Sequence, residues 1–150
     1  MINANPKDYY APMHSTEHLL NQTMVRFFNC DRSFSNHIEK KKSKCDYHFD
    51  RNLTDQEIQK IEQQVNNEIK KNHAVFDEVI SLEEANKIYN LSKLPDNFGT
   101  SIRIVKIGDY DACPCSGEHV NNTSEINGEF KIISTSFEND VLRIRFKLVN

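Results

Sequence analysis

The apolar positions of this chain change period along its length, and the changes mark its elements. From Met13 to Phe28 they recur at helical spacing, with Met13, Leu20, Met24, Phe27 and Phe28 on one side. His14, His18 and Val25 form a neighbouring stripe, which puts the two histidines one turn apart at the edge of the buried face. Pro12 suits the first helical turn, where its missing N–H costs nothing, and residues 1–11 read as an irregular lead-in. The pattern then shifts. Phe34 and Ile38 anchor the stretch Ser33 to Glu39, and Cys45, Tyr47 and Phe49 alternate with polar residues up to Asp50. Two strands joined by the charged connector Lys40-Lys41-Lys42-Ser43-Lys44 are expected.

Thr54-Asp55-Gln56-Glu57 is a capping box. Ile58, Ile61, Val65 and Ile69 follow on one narrow stripe, which predicts a helix from Thr54 to Lys71 lying on a surface. Ala74 to Ile80 reads as a strand, Ser81 opens a short helix running to Tyr89, and Asn90 to Thr100 reads as loop. Ser101 to Ile107 alternates as a strand ended by Gly108, and 109–119 reads as a further loop. Phe130–Ser136 and Val141–Val149 close the chain as strands around Glu138-Asn139-Asp140. In the last strand Leu142, Ile144, Phe146 and Leu148 share an apolar face, opposite Arg143, Arg145 and Lys147. Hairpins without regular β-α-β alternation predict an α+β fold: one domain over 1–150, with an antiparallel sheet packed against two main helices.

Composition narrows the class. Of 150 residues, 37% are hydrophobic and no run is long enough to span a membrane. Met1 to Asp8 has neither a basic n-region nor an apolar h-region, so a cytoplasmic location is expected. There the four cysteines (30, 45, 113 and 115) would stay reduced, which makes metal ligation a use for some of them. The net charge of −3 announces no nucleic-acid partner. It excludes none either, because a local basic patch is enough.

The candidate chemistry lies in two segments. His14-Ser15-Thr16-Glu17-His18 offers an i, i+4 imidazole pair on a helix. Cys113-Pro114-Cys115-Ser116-Gly117-Glu118-His119 offers thiols and an imidazole in a Pro/Gly-bent loop. Two histidines plus a Cys/His pair make a complete zinc set. Cys115 stands four residues before His119, and Cys113, two residues away, is an alternative thiol whose bland reading is a small apolar filler. Cys30 and Cys45 read as core fillers, and His37, His48 and His73 as partly exposed polar residues.

Together these motifs resemble the editing domain of alanyl-tRNA synthetases and of short free-standing alanyl-tRNA editing proteins. The second domain of threonyl-tRNA synthetases is similar but more distant. His14-x-x-x-His18 is followed by Leu19-Leu20, and Cys115-x-x-x-His119 leads through Val120 into Asn122-Thr123-Ser124-Glu125-Ile126. Asp50 to Ile58 and Val141 to Phe146 are similar to the family's approach to its long helix and to its last strand. The resemblance implies Zn2+ held by His14, His18, Cys115 and His119. It also implies hydrolysis, in trans, of serine or glycine mischarged on alanine tRNA, with no membrane or DNA partner.

Where the family often has Cys-Gly-Gly-Thr-His, this chain has Ser116 and Glu118. Glu118 is thereby a candidate catalytic residue, as a partner of a ligand histidine or a water-orienting base, or else it faces solvent. Thr16 is the other catalytic candidate. With Ser33 and Ser35 it is also a candidate for bonding the substrate hydroxyl, which would spare alanine. Lys40, Lys41, Lys42 and Lys44, with Arg143, Arg145 and Lys147, would contact RNA phosphates, or the lysine run is a solvated turn. Four protein ligands usually close a zinc site. An inactive zinc-stabilised tRNA-binding module, or a deacylase of another mischarged tRNA such as threonine tRNA carrying serine, therefore stands beside the first reading.

Overall fold

A computed structural model describes residues 10–91 and 99–150 of the chain. The expected lead-in up to residue 9, and residues 92–98 of the expected loop, lie outside the described residues. The fold class is α+β. The first helix, α1 (Ala11–Phe28), has Pro12 in its first turn and ends at Asn29. Asn29 takes a left-handed φ of 52° and donates its N–H to Val25 O at 2.9 Å. Asparagine tolerates that conformation better than other non-glycine residues.

Strands β1 (Ser35–His37) and β2 (Ser43–His48) form the expected hairpin around the lysines, with β1 shorter than its pattern suggested. Helix α2 (Asp55–Lys70) starts on the Thr54–Glu57 capping box, with both reciprocal bonds made. It buries Ile61, Val65, Glu68 and Ile69, the narrow stripe expected of a surface helix. After it come β3 (Val75–Ser81), α3 (Leu82–Ile88) and β4 (Ser101–Ile107). The chain then forms β5 (Asp111–Pro114), a 3-10 turn at Thr123–Glu125, β6 (Glu129–Glu138) and β7 (Val141–Val149). The β6–β7 turn uses Asn139 and Asp140 at φ 50° and 61°, which suits a two-residue hairpin loop.

The strands divide into two antiparallel sheets, ordered β1-β2-β7-β6 and β3-β4-β5, where the residue pattern suggested one. In the first sheet Leu142, Ile144 and Phe146 of β7, with Cys45 and Tyr47 of β2, are fully buried in the main core beside Leu19, Leu20, Ile61 and Val65. The reason for a second sheet lies in β4. Ile102 and Ile104 pack with Ala85 of α3 in a smaller cluster, whereas Val105 and Ile107 turn into the main core. A strand apolar on both faces joins two layers.

Three further expectations are corrected. Residues 111–114 are not loop but β5, paired with β4 through Ile107↔Asp111 and Val105↔Cys113. The turn between them needs Gly108, at φ 52°, because a Cβ there would run into the His73 ring. Phe27 is 43% exposed, so it is not part of the buried stripe of α1. His14 and His18 are buried outright, because α1 is covered around most of its circumference from Met13 to Asn21.

Candidate metal centre

α1 and the segment after β5 converge. Cys115 stands one residue past the end of β5, and Arg103 of β4 holds the loop that follows: its Nη1 donates to Cys115 O and to Gly117 O, both at 2.9 Å. Arg103 Nε in turn meets Asp77 Oδ2 at 2.7 Å. Ser15 Oγ accepts from Val120 N at 3.2 Å, which pins the far end of the loop to α1. These ties set His14, His18, Cys115 and His119 around one point, with a ligand atom of each within 4.8 Å of the others. Among the described residues this is the one group of its kind. Cys113 is not in it.

The ring orientations fit a metal ion. His14 Nδ1 faces Glu118 O at 3.0 Å. A carbonyl oxygen only accepts, so Nδ1 carries the proton and Nε2 is the bare nitrogen. That Nε2 lies 3.5 Å from Cys115 Sγ, and so does His119 Nε2. Zinc bonds of about 2.3 Å to sulfur and 2.0–2.1 Å to nitrogen imply a tetrahedral S···N edge of about 3.6 Å. His119 Nδ1 bonds Ser15 Oγ at 2.9 Å. His18 Nδ1 faces Asp111 Oδ2 at 3.4 Å, a carboxylate behind an imidazole as metal-ligating histidines commonly have. The rings of His14 and His119 stack at 4.1 Å, and His18 stands edge-on to both.

The electrostatics favour a thiolate. Burial pushes the Cys115 thiol up, but the charge of His18 and hydrogen bonds from His119, His14 and His18 outweigh it and bring it down to about 2. Burial works against a charge on His18, yet Cys113, Cys115, Glu17 and Asp111 hold it well above its ordinary value. Burial, with the charge of His18, lowers His119 to about 3. Burial raises the Cys113 thiol further than Arg32 and His18 lower it. Cys115 is thus the sulfur prepared for a cation.

A cavity of about 400 Å³ opens beside the cluster, and His14, His18 and Cys115 form part of its wall. Ser33 is buried on this wall, with its N–H donating to Asn21 Oδ1 at 2.7 Å and its hydroxyl to Asn36 Oδ1. Four groups on or behind the wall escaped the sequence reading. Glu17 and Asn36 meet at 2.7 Å, and Arg32 Nη1 meets Asp111 Oδ1 at 2.6 Å. Asp111 also accepts from Gln22 Nε2 at 2.9 Å. The signal for Glu17 was in plain sight, an acid between two candidate ligands on a helix. Arg32 and Asp111 stand 79 positions apart and leave no local pattern.

Other expected residues are placed elsewhere. Thr16 is fully buried and donates to Pro12 O at 2.7 Å, as a helical threonine does when it bonds back one turn, so it does not reach the cavity. Ser35 is exposed on β1 and does not line the cavity. Glu118 presents its carboxylate to solvent, and only its backbone carbonyl serves the cluster. Lys40, Lys41 and Lys42 are exposed in the β1–β2 turn. Arg145 lies opposite Lys44 across β2–β7, on the face away from the core. Arg143 is held by Asp46 through two bonds of 2.7 and 2.9 Å, so its guanidinium is already engaged. Cys45 is core, and Cys30 packs on the core while also lining the cavity.

Residues 102–144, from β4 to the middle of β7, match the family model described as the threonyl and alanyl tRNA synthetase second additional domain. Over 143 residues the chain is 32% identical to an alanine–tRNA ligase of Colwellia psychrerythraea, covering 90% of this chain. It is 34% identical to one from Lachnoclostridium phytofermentans over 89% of the chain, and 34% identical to one from Coxiella burnetii over 82%. The chain spans only about 15% of the length of these relatives. No described helix is long and apolar enough to cross a membrane.

Proposed function

From the premise that this chain is an alanyl-tRNA synthetase-like second additional domain, we propose that it hydrolyses the ester joining serine or glycine to the 3′ end of alanine tRNA. Zinc would be held by His14, His18, Cys115 and His119. One observation carries the reading: His14, His18 and Cys115 belong both to the four-ligand cluster and to the wall of the 400 Å³ cavity. A site meant only for folding has no need of a cavity against its ligands. Zinc held there would polarise the ester carbonyl and acidify water.

The chain's own groups supply orientation and selection. Glu118 O and Ser15 Oγ fix the imidazoles of His14 and His119, and the Asp111 carboxylate faces that of His18. The Ser33 hydroxyl and the Asn36 amide, both on the cavity wall, would receive a seryl hydroxyl. A pocket built to bond a hydroxyl discriminates strongly against alanine, which lacks it. The exposed Lys40, Lys41 and Lys42, with the half-buried Lys44 and Arg145 beside them, would offer phosphates a basic patch.

A second reading has its own support. Four protein ligands complete a tetrahedral zinc, which favours a zinc-stabilised tRNA-binding module without turnover. A panel of tRNAs separates the two: alanine tRNA carrying serine or glycine and threonine tRNA carrying serine, each assayed with and without a chelator. Serine should be released from alanine tRNA by the metal-loaded protein and retained with His18→Ala or Cys115→Ala. Binding of every tRNA with release from none would establish the second reading instead.

A further inference from the structure

We propose that Glu17 receives the α-ammonium group of the aminoacyl ester, so that the cavity accepts esters with a free amine and rejects those whose amine is acylated. The inference rests on the deacylase reading above and deepens it, from the ester bond to the amino acid beside it.

Glu17 is 5% exposed and lines the cavity next to His14 and His18. Its Oε1 accepts from Asn36 Nδ2 at 2.7 Å, which sets the rotation of the carboxylate. Its Oε2 is buried and has no hydrogen-bond partner among the described residues. The nitrogen facing it, His18 Nε2, is 3.6 Å away. That separation is longer than a hydrogen bond, so the ring leaves Oε2 open to a closer donor. Arg32, a guanidinium on the same wall, is already bound by Asp111. A buried carboxylate oxygen without a donor is costly, and a cationic donor from the ligand removes that cost.

The chemistry of the substrate supplies such a donor in the right place. In an aminoacyl ester the ammonium is separated from the reacting carbonyl by one carbon. A carbonyl turned toward the ligand cluster therefore carries its ammonium into the shell of groups around the ligands. Glu17 is the buried carboxylate there with an oxygen to spare: both oxygens of Asp111 face Arg32, and Asp31, which also lines the cavity, is exposed to water. Serine and glycine present the same ammonium, so this contact would hold both, and the seryl hydroxyl would be an added contact.

The test measures binding apart from turnover. Two probes are titrated calorimetrically into the zinc-loaded chain: 3′-deoxy-3′-(L-serylamino)adenosine, an amide in place of the ester, and the same compound N-acetylated. The free amine should bind about tenfold tighter or more. Glu17→Gln should erase that preference with zinc content unchanged. Asn36→Ala, at an exposed position that leaves the core intact, should reduce the preference by releasing Oε1, and it decides the matter if Glu17→Gln does not fold. Equal binding of the two probes, no binding of either, or a preference that survives both variants overturns the assignment. So does loss of zinc from Glu17→Gln, which would make Glu17 a metal ligand. Serine release from alanine tRNA is followed in parallel. Release without an amine preference overturns the Glu17 assignment alone, and an amine preference without release overturns the deacylase reading alone.

Discussion

Replacing Asp111 by asparagine removes a charge and keeps the shape, which isolates what that charge does behind the metal cluster. The Asp111 side chain is fully buried. It accepts from Arg32 at 2.6 and 3.4 Å and from Gln22 at 2.9 Å, and it faces His18 Nδ1 at 3.4 Å. Breaking a buried ion pair by removing one partner costs about 3–5 kcal/mol. The Arg32 side chain keeps 27% of its exposure and can recover some hydration, so about 2–3 kcal/mol is expected for Asp111→Asn. For a chain of this size that is a fall in Tm of about 5–10 °C, read by thermal unfolding of the chelator-treated protein. Zinc affinity should fall a further 10–100-fold or so, because His18 loses the group that orients it. Burial pushes the Asp111 carboxyl up, but Arg32 and His18 outweigh it and hold it well below the usual carboxylate range. With a depressed folded value, its stabilisation is complete above the unfolded value of about 4 and is lost as pH falls below that. The two proteins should therefore converge in stability in acid. A Tm within 2 °C or so of the parent at neutral pH, with unchanged zinc affinity, would refute the role given to Asp111.

Other predictions follow from the same geometry. Arg103→Ala should weaken zinc binding with all four ligands intact, because the loop carrying Cys115 and His119 loses its tie to β4; the cost is about 1.5–3 kcal/mol in stability. Zinc uptake near pH 7 should release about one proton, from His18, because Cys115 already favours the thiolate. Affinity should then fall as pH drops, and calorimetry in buffers of different ionisation heat counts the proton; a count of zero would contradict the charges assigned. Thr54→Ala should cost about 1 kcal/mol in urea unfolding by breaking the α2 capping box, with no change in zinc binding.

What was readable in the sequence was local. The stripe Ile61, Val65, Ile69 behind a capping box gives α2, and strict alternation gives β7. The His14/His18 and Cys115/His119 spacings are also local, one helical turn and one tight loop, and the structure brings all four together. Other features were hidden because their causes are distant. β5 is four residues, Asp-Ala-Cys-Pro, with too little apolar character to show a period, and only its pairing with β4 makes it a strand. The second sheet follows from β4 being apolar on both faces, which alternation alone reads as one strand of one sheet. Thr16 and Glu118 were candidates by proximity to ligands in sequence. Helical direction buries the first against its own backbone, and the loop's path turns the second outward.

The burial of α1 has a consequence for how the chain is assembled. Among its buried residues, His14, Ser15, Thr16, Glu17, His18, Asn21 and Thr23 are polar. Several of their partners are supplied late: His14 meets Glu118, Ser15 meets His119 and Val120, and Thr23 meets Tyr110. During synthesis this helix emerges early and then waits, since a helix burying those groups alone would strand them without partners. Its docking closes a loop of about 100 residues, the kind of non-local step that slows folding. A cross-link over such a span is worth about 4.7 kcal/mol in the chain-entropy model. Metal capture by His14, His18, Cys115 and His119 would thus act as the closing latch of the whole domain. Without the metal, α1 would be the element left undocked.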